Sequence, residues 1–137
     1  MVIGSLPRRG QDEWGSGEFH APRGTRLHKG IDYACYPSTQ IHSPVTGEVT
    51  KHGYPYADDP SYRYIQITDQ FGGDWRFFYV KPGLMVGATV EKDSYIGYAQ
   101  DIAARYYAKD ASKIMKNHIH LEILVSGVEV DPVSYGK

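Results

Sequence analysis

Beyond Ile31 the chain alternates short apolar runs with turn residues, a pattern that predicts strands rather than helices. Ile31–Ala34 is a brief apolar run stopped by Tyr36-Pro37-Ser38. Gln40–Pro44 should be extended, because Pro44 keeps the residues before it out of the helical region. Gly47–Tyr54 reads as a strand, and Tyr62–Asp69 places Ile65 and Ile67 on one face. Gln70-Phe71-Gly72-Gly73 marks a turn, so Asp74–Val80, an aromatic strand, should return as a hairpin. Pro82-Gly83 and Val86-Gly87 are further breaks, and Thr89–Glu91 and Tyr95–Ala99 are short strands. The texture changes at Asp101–Lys116, which lacks Gly and Pro. It is the one predicted helical segment, with a break near Asp110-Ala111-Ser112, where Asp110 or Ser112 could cap a second turn. His118–Val125 is the clearest strand, and Ser126-Gly127 turns it back into Val128–Val130. The expected fold is mainly β: a central antiparallel sheet of sandwich or hybrid-barrel type, with one short helical insertion before the last motif strand. Residues 1–26 show no period and are expected to be an irregular arm packed on a single domain spanning 27–137.

Composition narrows the function classes. The 137 residues carry 15 Lys+Arg against 16 Asp+Glu, for a net charge of −1. That balance argues against a nucleic-acid partner, which normally meets a basic surface. No run approaches the roughly 20 apolar residues of a membrane helix, and no signal peptide is visible. With 15 glycines and 8 prolines the chain has little room for long helices. A single cysteine, Cys35, excludes an intrachain disulfide and a multi-cysteine metal site. It is expected to be a small buried hydrophobe. The 6 histidines are therefore the better metal-ligand candidates.

Two motifs carry the candidate chemistry. In Asn117-His118-Ile119-His120-Leu121-Glu122-Ile123, strand alternation puts His118, His120 and Glu122 on one face. Ile119, Leu121 and Ile123 share the core face. Histidines two apart on a strand stand about 7 Å apart and can converge on one site. The pattern alone fits a solvated polar face equally well. In His28-Lys29-Gly30-Ile31-Asp32, full extension would hold His28 and Asp32 about 13 Å apart, too far for one ion. Gly30 is the residue that lets the chain bend, or take positive φ, and bring them together. Combined, the motifs supply a His, Asp, His set with a fourth imidazole left over, the ligand count of a catalytic zinc site with an open position. The same count also fits the facial triad of iron oxygenases.

These motifs resemble the two signatures of the lysostaphin/LytM-type zinc endopeptidases. Ile41-His42-Ser43-Pro44-Val45-Thr46-Gly47-Glu48-Val49, Val86-Gly87-Ala88-Thr89-Val90 and Tyr95-Ile96-Gly97 resemble stretches that follow the first signature in that family. The likeness runs from about Phe19 to about Tyr135, in order. It implies a LytM-like fold whose sheet holds one Zn2+ in a groove. It implies hydrolysis of peptide bonds in bacterial peptidoglycan, in stem peptides or cross-bridges. By position His28, Asp32 and His120 would be the metal ligands and His118 the catalytic imidazole. Glu122, Asn117, Arg23 and Tyr79 would lie behind the ligands or along the substrate groove.

The resemblance has gaps. The family usually carries a further histidine in a Tyr-x-His segment, where this chain reads Tyr79-Val80-Lys81, so Lys81 stands in the catalytic position. A cationic ammonium there could stabilise an oxyanion. The alternative is a weakened or inactive module used for wall binding or as a structural part of a larger, phage-like assembly. The helical segment before His118 replaces a Gly/Ser/Thr-rich loop. Its Tyr106 and Tyr107 are expected in packing or along the groove. Lacking a visible signal, a wall hydrolase of this kind is expected to be a phage lysin or virion-associated peptidase, or else a secreted mature domain. It would act as a monomer or within an assembly.

Overall fold

The computed structural model describes residues 6–23 and 26–135. Its strands, in chain order, are β1 (Gln11–Asp12), β2 (Gly15–Ser16), β3 (Pro22–Arg23), β4 (Arg26–Leu27), β5 (Ile31–Ala34), β6 (Gln40–His42) and β7 (Gly47–Gly53). They continue as β8 (Tyr64–Asp69), β9 (Asp74–Phe78), β10 (Val80–Pro82), β11 (Thr89–Val90) and β12 (Tyr95–Ala99). Helix α1 (Ile102–Lys109) precedes β13 (His118–Val125) and β14 (Val128–Val130). The fold is mainly β and antiparallel, with one helix among the described residues.

One sheet runs β11-β7-β8-β9-β13. The far edge of β13 is shared, because β5 pairs with His118–Leu121 and β14 pairs with Ile123–Val125. A smaller sheet, β10-β12-β6, faces it. Alternation decides the packing. Val49, Ile65, Ile67, Phe77, Ile119, Leu121 and Ile123 point inward from the large sheet and meet Ile41, Val80, Ile96 and Ala99 from the small one. Fully burying one such aliphatic side chain stabilises the fold by about 1.5–3 kcal/mol. The opposite face of the large sheet is polar. Across it the register aligns Gln66, Arg76 and Glu122, and Arg76 Nε donates to Gln66 Oε1 at 2.8 Å. His120 and Asp32 stand opposite each other one step along.

Three expectations need correction. The aromatic strand does not run unbroken to Val80, because Tyr79 takes a left-handed φ of 63° and splits β9 from β10. The helix is shorter than Asp101–Lys116. Asp101 caps its start by accepting from Ala104 N, and Asp110 ends it in extended geometry. Ser112 turns back to donate to the Asp110 carboxylate, so no second helical turn follows. The N-terminal arm is not wholly irregular. It forms the β1-β2 and β3-β4 ladders and runs beside β5. Arg9 N donates to Asp32 O, Asp32 N to Gly17 O, and Ala34 N to Pro7 O, all within 2.9 Å.

Candidate metal centre

Three elements converge on one point. β13 presents His118 and His120 from its polar face, and β5, paired with it in register, presents Asp32 opposite His120. His28 arrives from the bend before β5. Gly30 makes that bend possible, though not through positive φ. A Cβ there would stand 2.0 Å from Leu121 O and 3.1 Å from the His120 ring, so only glycine lets the backbone pass this close. His28, Asp32 and His120 are all buried.

His28 Nε2 lies 2.9 Å from His120 Nδ1 and 3.2 Å from Asp32 Oδ1, and His120 Nδ1 lies 2.8 Å from Asp32 Oδ1. Ligands about 2.0–2.1 Å from a tetrahedral ion stand about 3.3 Å apart, so these separations suit one small cation. The outer contacts settle which atoms face inward. His28 Nδ1 is 2.9 Å from the Glu18 carbonyl, and His120 Nε2 is 3.0 Å from Glu122 Oε1. Both partners only accept, so each outer nitrogen carries the proton and each inner nitrogen is bare in the neutral ring. Two lone pairs and a carboxylate oxygen thus meet with no proton of their own between them. A proton can fill the gap. Burial works to lower the His120 pKa, but hydrogen bonds to Asp32 and Glu122 outweigh it and push the ring up to about 9. A divalent cation satisfies all three atoms at once, and the donor set of two imidazoles and one carboxylate suits zinc.

Burial also opposes the Asp32 charge, yet its close contacts with the His120 and His28 rings hold its carboxyl well below the usual range. On its other oxygen, Arg9 Nη1 donates at 2.9 Å, while Arg9 Nε and Nη2 hold Asp12 at 2.8 and 2.7 Å. Arg9 is buried, and the ion pairs outweigh its desolvation so that its charge is kept. His118 Nδ1 lies 2.8 Å from the Lys116 carbonyl, which leaves Nε2 bare, 3.5 Å from Asp32 Oδ2. Burial lowers its pKa, against the pull of Asp32.

A cavity of about 190 Å³ opens onto these groups. Its walls are Arg9, Trp14, Tyr79, Tyr106 and Met115, with His28, Asp32, His118 and His120 at the base. Trp14 packs edge-on against Tyr106 at 4.9 Å, so the arm and the helical insertion close one side together.

The structure therefore gathers His28, Asp32, His120, His118 and Tyr79, with Glu122 behind His120. It sets others apart. Lys81 is exposed on β10, paired across to Tyr98, and does not line the cavity. Asn117 is turned away: its side chain donates to the Cys35 and Gln100 carbonyls and accepts from Ala103 N, tying the insertion to β5. The Arg23 side chain lies outside the described residues. Tyr107 is exposed rather than packed, whereas Tyr106 lines the cavity. Cys35 is only half-buried, and burial pushes its thiol to about 11, so it stays protonated at neutral pH. Arg9, Trp14, the Glu18 carbonyl and Met115 were not foreseen. No periodicity marks the arm, and a backbone carbonyl has no sequence signature.

Known proteins resemble this chain in sequence and in fold. The chain is 25% identical over 114 residues to leukocyte cell-derived chemotaxin-2 of Bos taurus, covering 81% of this chain and 69% of that protein. The catalytic domain of lysostaphin, an antimicrobial peptidase from Staphylococcus simulans, superposes with a TM-score of 0.68 at 17% identity, over 97% of this chain and 93% of that one. A chain of the SpoIIIAH and SpoIIQ complex superposes with a TM-score of 0.68 at 19% identity, over 98% and 96%. The model of Peptidase family M23 matches residues 26–132, well over half the sequence and from two residues before His28 to beyond His120. The chain belongs to Peptidase family M23.

Proposed function

We propose that this protein is a zinc-dependent endopeptidase acting on peptide bonds of bacterial peptidoglycan at the cell wall. The observation that carries the reading is the convergence of two bare imidazole nitrogens and a carboxylate oxygen beside a third, unligated imidazole. The fold shared with lysostaphin supports the substrate class.

His28 Nε2, Asp32 Oδ1 and His120 Nδ1 would hold the ion. When bound, zinc polarises a scissile carbonyl and makes water acidic enough to attack near neutral pH. The chain supplies the rest. Glu18 and Glu122 fix the ligand tautomers. Arg9 keeps Asp32 ionised and oriented. His118 Nε2 accepts the proton of the attacking water, and the resulting imidazolium rests near Asp32 Oδ2. It then returns that proton to the leaving amine. Trp14, Tyr106 and Met115 narrow the cavity and limit bulk water.

The test is digestion of purified peptidoglycan with mass spectrometry of the released peptides. Cleavage should require zinc, stop with a chelator, and vanish in His118→Ala with the metal retained. A His118→Ala protein that cleaves at the wild-type rate would refute the assignment.

A second reading is a metal-holding module without turnover, for wall binding or assembly. Two observations favour it: the cavity holds only about 190 Å³, and the curated relative is named a chemotaxin. Stoichiometric zinc in a protein that releases no peptide would select it.

A further inference from the structure

We propose that Tyr79 is a catalytic residue of this site, its phenol donating a hydrogen bond to the oxyanion that forms on the scissile carbonyl. This rests on the peptidase reading above. Attack by water forms a C–O bond, moves the carbonyl π pair onto oxygen and sends the water proton to His118. The charge that appears on oxygen needs a donor inside the cavity.

The other donors lining that cavity are engaged. Arg9 is bound to Asp12 and Asp32. Trp14 Nε1 points at the Lys113 carbonyl, 3.4 Å away, and His118 Nδ1 at that of Lys116. His28 and His120 face each other and Asp32. Two phenols remain. Of the two, Tyr106 stands against Trp14 at 4.9 Å, and Tyr79 is the one that packs on His118. Tyr56 donates to the Tyr79 hydroxyl at 3.2 Å, which uses the only Tyr56 proton. The Tyr79 hydroxyl accepts there, and no hydrogen bond takes up its own proton among the described residues.

Backbone geometry points the same way. Tyr79 adopts φ 63°, a conformation that costs a bulky residue about 1–3 kcal/mol and is found mostly where function demands it. The consequence is visible in the neighbours. Phe78 packs edge-on against His120 at 5.2 Å, and Tyr79, the very next residue, packs edge-on against His118 at 5.8 Å. A regular strand would have sent these two rings to opposite faces. The bend is held by Tyr79 N donating to the Arg63 carbonyl and Gln100 N donating to that of Tyr79. Burial keeps the phenol protonated far above neutral pH.

Tyr79→Phe removes the donor and keeps the ring. Zinc-loaded protein should lose roughly 10²–10³-fold in kcat on peptidoglycan peptides. KM and zinc content should stay within about twofold of the wild type. Affinity for an alanyl phosphinate pseudo-tripeptide, a tetrahedral anion, should fall by a comparable factor in calorimetry. Tyr56→Phe breaks the same Tyr56–Tyr79 bond but leaves the cavity proton, and should lose tenfold or less. Wild-type kcat and phosphinate affinity in Tyr79→Phe overturn the proposal, as does a loss equal to that of Tyr56→Phe or a loss tracking zinc. A wild-type protein that binds no phosphinate also overturns it. If the phosphinate affinity falls as expected while the wild type cleaves nothing, the donor stands and the peptidase reading fails.

Discussion

Asp32, on β5, and Asp69, at the end of β8, are both buried carboxylates of the large sheet, and their surroundings differ in one respect. Asp69 is met only by protons. Phe71 N and Gly73 N donate to Oδ1 at 2.8 Å, and Trp75 Nε1 and the Tyr135 hydroxyl donate to Oδ2 at 2.8 and 2.9 Å. This arrangement closes the β8–β9 hairpin and packs the C-terminal segment against it. Asp32 Oδ2 likewise accepts from Arg9, but Oδ1 faces two ring nitrogens whose protons are on their far sides. One carboxylate is met by four fixed donors, and the other shares an oxygen with two ring nitrogens in a grouping that could hold a cation. Burial alone does not mark a functional acid; the number of protons its neighbours can offer does.

Breaking the His28–Asp32–His120 cluster should have the largest effect. Asp32→Ala removes a ligand and leaves Arg9 without one of its two buried anions. Metal analysis should find no bound zinc, and chemical denaturation should show a loss of about 3–5 kcal/mol. Zinc retained at one per chain would show that Asp32 is not a ligand. Glu122→Gln is milder. It keeps the shape but offers a weaker partner to His120 Nε2, so zinc affinity should fall about 10–100-fold in competition with a chromogenic chelator. An unchanged affinity would count against the tautomer argument.

Asp69→Asn tests the four-donor cluster. It should cost about 1–3 kcal/mol of stability and leave zinc content and turnover unchanged. Burial opposes the Asp69 charge, but bonds from Trp75, Gly73 and Tyr135 hold its pKa below the ordinary value. A lowered folded-state pKa stabilises above the unfolded value of about 3.9 and is lost as pH falls through the folded one. The stability gap between wild type and Asp69→Asn should therefore be full above about pH 5 and shrink in acid. A gap that widens in acid would contradict this role. The smallest effect is expected for Lys81→Met. Exposed and outside the cavity, Lys81 should change turnover by less than about twofold. A hundredfold loss would return Lys81 to the site.

How much of this was legible in the chain depends on the kind of interaction. The late strand was readable because alternation is local: Ile119, Leu121 and Ile123 had to face a core, so His118, His120 and Glu122 had to share the other face. The His-x-Gly-x-Asp bend was readable as a possibility, though the reason for Gly30 was not. It is close approach to the Leu121 backbone, 91 positions away in sequence, rather than positive φ. Lys81 was placed by likeness to the family's Tyr-x-His segment, but Tyr79, with its left-handed φ, splits that segment and Lys81 falls on exposed β10. The arm was opaque. Arg9 matters through an ion pair with Asp32, and nothing in residues 1–26 announces that partner.

By itself the sequence determined the strand faces, the mainly β class and the residues able to hold a cation. Those follow from side-chain periodicity and ligand chemistry, which act over a few residues. Only the tertiary structure decided which nitrogen of each histidine faces inward, because the far-side acceptors, Glu18 and Glu122, are fixed by folding. It alone turned Tyr79 rather than Lys81 towards His118, through a backbone twist held by Arg63 and Gln100. Hydrogen-bond direction and backbone strain depend on partners distant in the chain, and no local pattern encodes them.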